Sequence, residues 1–135
     1  VFSTKPQLAR TMLERALDAG VPAAWVAGDE VYGSDRRLRI ALETRGQPFV
    51  LAIRSNEPLM HFGVRGTVRG TAQPRAAVLA NTIPAGAWHV LSAGAGTKGP
   101  RVYRWAWTDL ARLGWPGWRH ALLVREHRAT GERAY

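Results

Sequence analysis

The sequence has no cysteine, so it can form neither a disulfide nor a thiolate zinc site, and it has no cysteine nucleophile. It also has no run of about 20 apolar residues, the length that a membrane-spanning helix needs. Its four histidines form no i,i+4 pair, and its serines do not lie in a GxSxG motif. These absences exclude a disulfide scaffold and a transmembrane protein, and they leave a histidine metal site and an acyl-transfer site unsupported.

Carboxylates are unevenly distributed along the chain. The whole sequence carries 19 Lys and Arg against 10 Asp and Glu, a net charge of +9. Residues 1–57 are nearly balanced, with eight basic and seven acidic side chains, whereas no carboxylate lies between Glu57 and Asp109. Six basic residues do lie there: Arg65, Arg69, Arg75, Lys98, Arg101 and Arg104. A stretch of one sign favours a polyanionic partner, and nucleic acid is the first candidate.

Tryptophan is concentrated in the same half of the chain. Five of the six tryptophans are interleaved with arginine there: Trp88, Trp105, Trp107, Trp115 and Trp118. Aromatic rings beside basic side chains suit stacking on bases together with contact to phosphates. The alternative is a small β-rich core in which tryptophan supplies bulk and arginine covers the outer face. The residues alone leave both interpretations open.

Helix and strand patterns alternate in the first part of the chain. Apolar residues recur at helical spacing over residues 4–19 and again in a second helix that Ser34 or Asp35 can cap. Continuous apolar runs at 23–27 and 48–53 predict strands buried on both faces. This αβαβ order with short connections predicts adjacent parallel strands with helical crossovers.

The first helix has marked ends. Thr4 followed by Gln7 fits a capping box, Pro6 is tolerated in the first turn, and Gly20 lies where a left-handed residue ends a helix.

The pattern changes after residue 56. Residues 57–86 are rich in glycine and proline, with one possible short helix around 74–80. Three later segments have β-rich composition and predict antiparallel strands: 87–93, 101–108 and 119–126. The turn at 129–131 predicts one further strand. We therefore expect an α/β fold with a partial core at 1–56 and a basic, Trp-rich β insertion at 57–135, and, because the chain starts at Val1 rather than Met, a fragment.

Asp29 is the strongest candidate for chemistry by position. It stands at the carboxyl end of a predicted buried strand, the edge of a parallel sheet where ligands and metals gather. A carboxylate there can bind Mg²⁺, although metal sites for phosphate chemistry need two or three carboxylates. Glu30 is expected to point away from Asp29 on an extended segment. A structural Asp satisfied by backbone amides is the alternative, and a receiver-type phosphoacceptor is disfavoured because no acidic pair accompanies it on an earlier strand.

The glycine-rich segment 94–99 has the composition of a phosphate-binding loop. Its order is wrong for one, because Thr97 precedes Lys98 and predicted strands flank it. We expect a hairpin connection.

Several stretches together resemble one family, the bacterial insertion-sequence transposases with a DDE site, and in particular an actinobacterial subgroup. These stretches are FSTKPQLA at 2–9, GVPAAWV at 20–26, GDEVYG at 28–33, LSAGAGTKG at 91–99 and YRWAW at 103–107. The resemblance covers nearly the whole chain and is most specific over residues 2–54.

The resemblance implies an RNase H-like catalytic core in which three carboxylates hold two Mg²⁺ or Mn²⁺ ions. By position, Asp29 matches the second catalytic and metal-binding Asp. The first Asp is expected upstream of Val1 and the catalytic Glu on a helix downstream of Tyr135. Glu126 and Glu132 lie in strand-like contexts and are not assigned to that role. A single carboxylate cannot build a two-metal site, so this chain alone is expected to be inactive.

The implied activity is metal-dependent DNA cleavage followed by strand transfer during transposition. The implied partners are the element ends and target DNA, with homo-oligomerisation in a synaptic complex and a bacterial, cytoplasmic and nucleoid-associated location. We expect DNA contacts from four residues of the insertion: Lys98, Arg101, Arg104 and Trp105. The alternatives are a non-catalytic nucleic-acid-binding remnant of a transposase and a generic α/β domain with a structural Asp29.

Overall fold

The computed structural model describes residues 2–59, 73–110 and 117–135. These residues belong to two compact units, 1–54 and 55–135. The first unit contains helices and a pair of parallel strands, and the second contains a short helix and a four-stranded antiparallel sheet. The predicted α/β class is therefore confirmed. Arg65, Arg69 and Trp115 lie outside the described residues.

The first unit has the element order that the sequence predicts, with one short helix added. Its elements are α1 (Lys5–Asp18), β1 (Val26–Gly28), α2 (Glu30–Gly33), α3 (Arg36–Thr44) and β2 (Phe49–Leu51). The two strands are parallel, with Val26 paired to Phe49 and Gly28 to Leu51. The parallel arrangement with a helical crossover is confirmed.

Helix α1 begins and ends where its capping residues predict. The Thr4 hydroxyl accepts a hydrogen bond from the Gln7 amide, and the Gln7 side chain accepts one from the Thr4 amide, at 3.4 and 2.8 Å. Gly20 follows the helix with φ +76°, a left-handed conformation that glycine adopts without a Cβ clash.

Helix α3 supplies most of the core of the first unit. Asp35 rather than Ser34 caps it, since the Asp35 carboxylate accepts a hydrogen bond from the Leu38 amide at 2.9 Å. Leu38 and Leu42 are 2% exposed and cluster with Val26 of β1. Four half-buried side chains pack against this cluster: Leu13, Tyr32, Phe49 and Leu51.

The prediction that both strands are buried on both faces is wrong. Val26 and its partner Phe49 pack on the core cluster, whereas Val50, on the opposite face of β2, is 52% exposed. The packed helices cover one face of this two-stranded sheet, and no described element of the first unit buries the other. Both strands are also shorter than predicted, and Trp25, just before β1, is 63% exposed.

The short β1 has a local cause. The side-chain amide of Gln47, which is buried, donates to the carbonyls of Ala23 and Ala24 at 3.2 and 3.4 Å. These two carbonyls are therefore satisfied by a side chain instead of a neighbouring strand, and ladder pairing starts only at Val26.

The second unit is organised around one sheet. Helix α4 (Ala76–Asn81) confirms the short helix, and a 3₁₀ turn follows at Ala85–Ala87. The strands are β3 (His89–Gly96), β4 (Gly99–Leu110), β5 (His120–His127) and β6 (Arg133–Ala134), paired antiparallel in that order. All three predicted antiparallel strands and the further strand after the last turn are confirmed.

The pleat of this sheet separates two faces. Along β5 the even-numbered residues are buried or partly buried and the odd-numbered residues are exposed. Ala106 of β4 pairs with Val124 of β5, and both are fully buried. Helix α4 contacts β5 and buries Ala76, Leu79 and Ala80.

Candidate functional site

Asp29 follows β1 directly, at the carboxyl end of the parallel pair, and caps α2. Its Oδ1 accepts a hydrogen bond from the Val31 amide at 3.0 Å. Its backbone carbonyl accepts from the amides of Tyr32 and Gly33. The side chain is exposed, and Oδ2 accepts no hydrogen bond from the residues that the structure describes.

The glycines of GDEVYG explain why the chain turns so tightly here. A Cβ placed on Gly33 would lie 1.8 Å from the carbonyl oxygen of Ala52, so α2 can approach the end of β2 only if this residue has no side chain. A Cβ on Gly28 would meet Leu51 Cδ2 at 3.0 Å. The Gly28 carbonyl accepts a hydrogen bond from the Ala52 amide at 2.9 Å, which ties the two strand ends together. Close backbone packing therefore sets the position of Asp29.

The sequence predicts that Glu30 lies on an extended segment, and this prediction is wrong. Glu30 is the first residue of α2, because the Asp29 cap starts a helical turn at once. Glu30, like Asp29, is exposed. Both acidic residues thus lie at the amino end of a very short helix.

The described residues do not by themselves assemble a two-metal site. Among residues 2–59, 73–110 and 117–135, no group of three or more His, Asp or Glu side chains is placed to hold a metal ion. Asp29 can supply one hard oxygen ligand, since its Oδ2 is exposed and outside the cap hydrogen bond. The structural role of Asp29 as a cap and a role as one metal ligand are therefore compatible.

Two of the predicted DNA contacts lie in one hairpin. Thr97 and Lys98 form the two-residue turn between β3 and β4, which confirms that the glycine-rich segment is a hairpin connection. Lys98 is exposed. Arg101, also exposed, donates from Nη2 to the carbonyl of Ala93 at 3.1 Å across the hairpin.

Arg104 lies on the opposite face of β4 from Arg101 and Trp105. Its Nη1 is 2.7 Å from Oε1 of Glu126, and Arg133 Nε is 2.7 Å from the other oxygen of the same carboxylate. Both guanidinium groups also lie 5.1 Å from the centre of the Trp88 ring. Glu126, whose side chain is 10% exposed, is therefore held between two arginines.

Trp105 belongs to the other face of the sheet. Its ring contacts that of Tyr103 edge to face, with centroids 6.2 Å apart. Its Nε1 is buried and has no hydrogen-bond partner among the described residues. Its cross-strand partners are His89 and Arg125. The structure thus brings Trp105 and Arg101 to one face and separates both from Arg104.

The face that carries Trp105 also carries Trp107, Arg125 and His89. These three residues are not among the four DNA contacts that were predicted from the sequence. Trp107 is 54% exposed, and its ring centroid lies 6.5 Å from that of His89. Arg125 is exposed, with its guanidinium 4.7 Å from the centre of the Tyr103 ring. The signal that could have found them is the period of two along 101–108 and 119–126, which assigns odd-numbered residues to a common face.

The remaining carboxylates of the second unit stay outside a helical context. Glu126 lies in β5, and Glu132 is exposed just before β6. Asp109, at the far end of β4, accepts two hydrogen bonds from Arg119 at 2.9 and 3.1 Å. This hydrogen bonding, with a smaller contribution from the nearby charge, lowers the pKa of Asp109.

None of the described helices has the length and apolar character needed to cross a membrane. No curated protein and no solved structure matches the chain. A family does match: the family described as DDE superfamily endonuclease covers residues 1–111, which includes GDEVYG, β3 and all of β4. An endonuclease family implies a DNA substrate, and the negative phosphates of DNA are complementary to the net charge of +9. The match extends over most of the sequence, and the chain therefore belongs to the DDE superfamily endonucleases.

Proposed function

We propose that this chain is part of a DNA transposase that cleaves DNA and transfers strands during transposition of an insertion sequence. The observation that carries this proposal is the coincidence of the family match with Asp29 at the carboxyl end of a parallel strand. In this proposal, residues 1–56 are part of an RNase H-like catalytic core, and residues 57–135 are an insertion that binds DNA. The protein acts in the bacterial cytoplasm, at the nucleoid, as an oligomer on the element ends.

Asp29 is the proposed metal-binding and catalytic residue of this chain. Its exposed Oδ2 supports the assignment, because a metal ligand needs an oxygen outside the local hydrogen bonds. Mg²⁺ or Mn²⁺ bound by such carboxylates supplies activation of the attacking oxygen and stabilisation of the leaving oxygen. The other carboxylates of a two-metal site come from outside the described residues. What this chain contributes is a carboxylate held in place by the α2 turn and by the close approach of Gly33 to β2.

Lys98 and Arg101 are the proposed phosphate contacts of the predicted set, because both are exposed at the β3–β4 hairpin. Arg104 and Trp105 contribute to the DNA-binding region by packing rather than by direct contact with phosphates. Arg104 is engaged by Glu126, and Trp105 is half-buried with its Nε1 covered. Phosphate contacts of this kind make affinity fall steeply with salt.

The second candidate function is a non-catalytic DNA-binding remnant of a transposase. It is favoured by the cap hydrogen bond of Asp29, which explains an aspartate at this position without any metal.

The experiment that separates the two is DNA cleavage by the complete protein in Mg²⁺ or Mn²⁺, with DNA carrying the element ends. Asp29→Asn keeps a helix-capping side chain and removes the carboxylate, so it changes metal binding more than folding. Asp35→Asn is the matched control, because Asp35 caps α3 in the same unit. We expect Asp29→Asn to abolish cleavage with DNA binding retained and Asp35→Asn to cleave normally. Normal cleavage by Asp29→Asn would remove Asp29 from the active site, and absence of cleavage by the unmodified protein would favour the remnant.

A further inference from the structure

The antiparallel sheet exposes one aromatic and basic face, which we call the outer face. It is formed by the odd-numbered residues of β4 and β5 from 101 to 107 and from 121 to 127, together with His89 and Leu91 of β3. We propose that the outer face binds an unpaired DNA strand, with a base stacked on Trp107 and phosphates held by Arg125 and Arg101. This inference rests on the proposed function, since it names the form of DNA that the insertion binds.

The outer face exposes large apolar side chains to water. Trp107, Leu91 and Leu123 are 54%, 53% and 39% exposed. Leu91 pairs with Tyr103, and Leu123 pairs with Trp107, so these side chains lie on adjacent strands of one surface. Contiguous apolar side chains left in water mark an interaction site more often than isolated ones do.

The charges of the outer face are available for an anion. Arg125 forms no ion pair with the described residues, and stacking on Tyr103 holds its guanidinium across the sheet. On the opposite face, Arg104 and Arg133 are both engaged in ion pairs, which they form with the two oxygens of Glu126. Two carboxylates lie near the outer face: Asp109 is bound by Arg119, and Glu132 lines a shallow depression with Arg125 and His127. The arginines of the outer face therefore exceed its unpaired carboxylates.

Charge also decides between possible occupants. An apolar partner would cover Arg125 and Arg101 and remove their hydration without supplying counter-charges. A second copy of this face would bring further arginines against them. A nucleic acid supplies phosphates for the arginines and aromatic base faces for Trp107 in the same ligand.

The spacing of the rings favours an unpaired strand over a duplex. Tyr103, Trp105 and Trp107 follow one another at every second residue of β4, about 7 Å apart along the strand. Bases within a duplex are stacked at about 3.4 Å per strand, so their faces are occupied by neighbouring bases. Only unstacked bases offer a free face to a protein ring. Trp107, the most exposed of the three rings, is the stacking position, and Tyr103 and Trp105 form the floor beneath Arg125.

The test is binding of a fluorescently labelled 20-nucleotide oligo-dT, compared with a blunt duplex of the same length, to the whole 135-residue chain in EDTA. We expect Trp107→Ala to weaken single-strand binding by about 5- to 100-fold and to change duplex binding by less than about twofold. Trp107→Phe keeps a ring and should restore most of the affinity. Trp25→Ala is the matched control, because Trp25 is at least as exposed but lies in the first unit. It should leave both affinities unchanged.

A charge-matched pair of variants tests the phosphate contact. Arg125→Ala should weaken single-strand binding and reduce the slope of log affinity against log salt by about 0.7, the value for one phosphate on a single strand. Arg37→Ala removes a charge from α3 that is also exposed, and it should change neither the affinity at moderate salt nor the slope.

Several results would overturn the proposal. These are no binding of the oligonucleotide, equal losses for Trp107→Ala and Trp25→Ala, or a dimer that Trp107→Ala disperses without any effect on DNA. Because the assay contains no metal and measures no cleavage, it is independent of the Asp29→Asn experiment. A failure at Asp29 removes the catalytic assignment, and a failure at Trp107 removes the outer-face assignment.

Discussion

The two units place their candidate residues by different means. In the first unit, backbone packing positions Asp29: α2 approaches β2 so closely that Gly33 has no room for a Cβ. In the second unit, side-chain alternation along antiparallel strands produces the outer face, and no equally tight approach is needed. A single carboxylate that must meet a reacting phosphate requires precise backbone placement. A surface that binds an extended polymer requires area and repeated spacing instead.

The acidic residues at the two candidate sites differ in whether an arginine is paired with them. In the first unit, Asp29 and Glu30 are exposed, and neither forms an ion pair with the described residues. In the second unit, Glu126 lies between Arg104 and Arg133, and Asp109 is bound by Arg119. Asp29 and Glu30 are thus left open at a sheet edge, whereas Glu126 and Asp109 hold arginines in place.

The largest effect is expected from a variant that breaks the backbone packing of the first unit. Gly33→Ala should destabilise the first unit by more than about 3 kcal/mol, because the new methyl group overlaps a backbone oxygen that no rotamer change can move. The measurement is hydrogen exchange at the amides of Val26 and Ala52, which donate to Pro48 and Gly28 across the strand pair.

Gly20→Ala is the control for this experiment. Gly20 also has a special backbone, with φ +76°, but a Cβ placed on it would have no neighbour within 4 Å. Its cost should be about 1 kcal/mol, from conformation alone. Equal losses for the two variants would mean that the close approach of α2 to β2 does not position Asp29.

The next effect concerns the second unit. Glu126→Ala should lower the free energy of unfolding by about 2 to 3 kcal/mol, since it leaves two partly buried arginines without their counter-charge. Denaturant unfolding followed by tryptophan fluorescence measures it. Glu14→Ala, which breaks an exposed pair with Arg10 at 3.6 Å, should cost less than about 0.5 kcal/mol. If the two variants cost the same, the ion pairs of Glu126 with Arg104 and Arg133 do not stabilise the face of the sheet opposite the outer face.

Local signals explain which parts of this fold could be predicted from the sequence. Thr4, Gln7 and Gly20 mark the ends of α1 because capping involves neighbours in the chain. The position of Asp29 after a strand follows from the apolar run before it. Helix α2 could not be predicted from the sequence. Its only signal is the capping residue Asp29, and an aspartate at this position is equally compatible with an extended segment.

The features that the sequence does not predict depend on tertiary packing. Which face of β4 is covered depends on α4 and on the pairing register with β5, and neither follows from the composition of 101–108. The period of two along β4 places Arg101 and Arg104 on opposite faces, but the sequence alone does not predict which of these faces is covered. The one-sided burial of β2 has the same origin, because exposure of Val50 reflects the elements around it and not its own hydrophobicity.

The smallest expected effect compares an exposed ion pair in each unit. Arg119 lowers the pKa of Asp109 in the second unit, and Arg45 lowers the pKa of Asp18 in the first, in both cases chiefly through a side-chain hydrogen bond. A carboxyl group whose pKa is lowered by folding stabilises the folded state above its unfolded pKa, and this stabilisation is lost as the pH falls through the folded pKa. Arg119→Gln should therefore raise the pKa of Asp109 toward its ordinary value and leave that of Asp18 unchanged, as followed by NMR titration of the side-chain carboxyl carbons. A shift of both pKa values would show that the general positive charge of the chain, and not the paired arginine, lowers them. Pairing with a single arginine would then not distinguish Asp109 from the open carboxylates of Asp29 and Glu30.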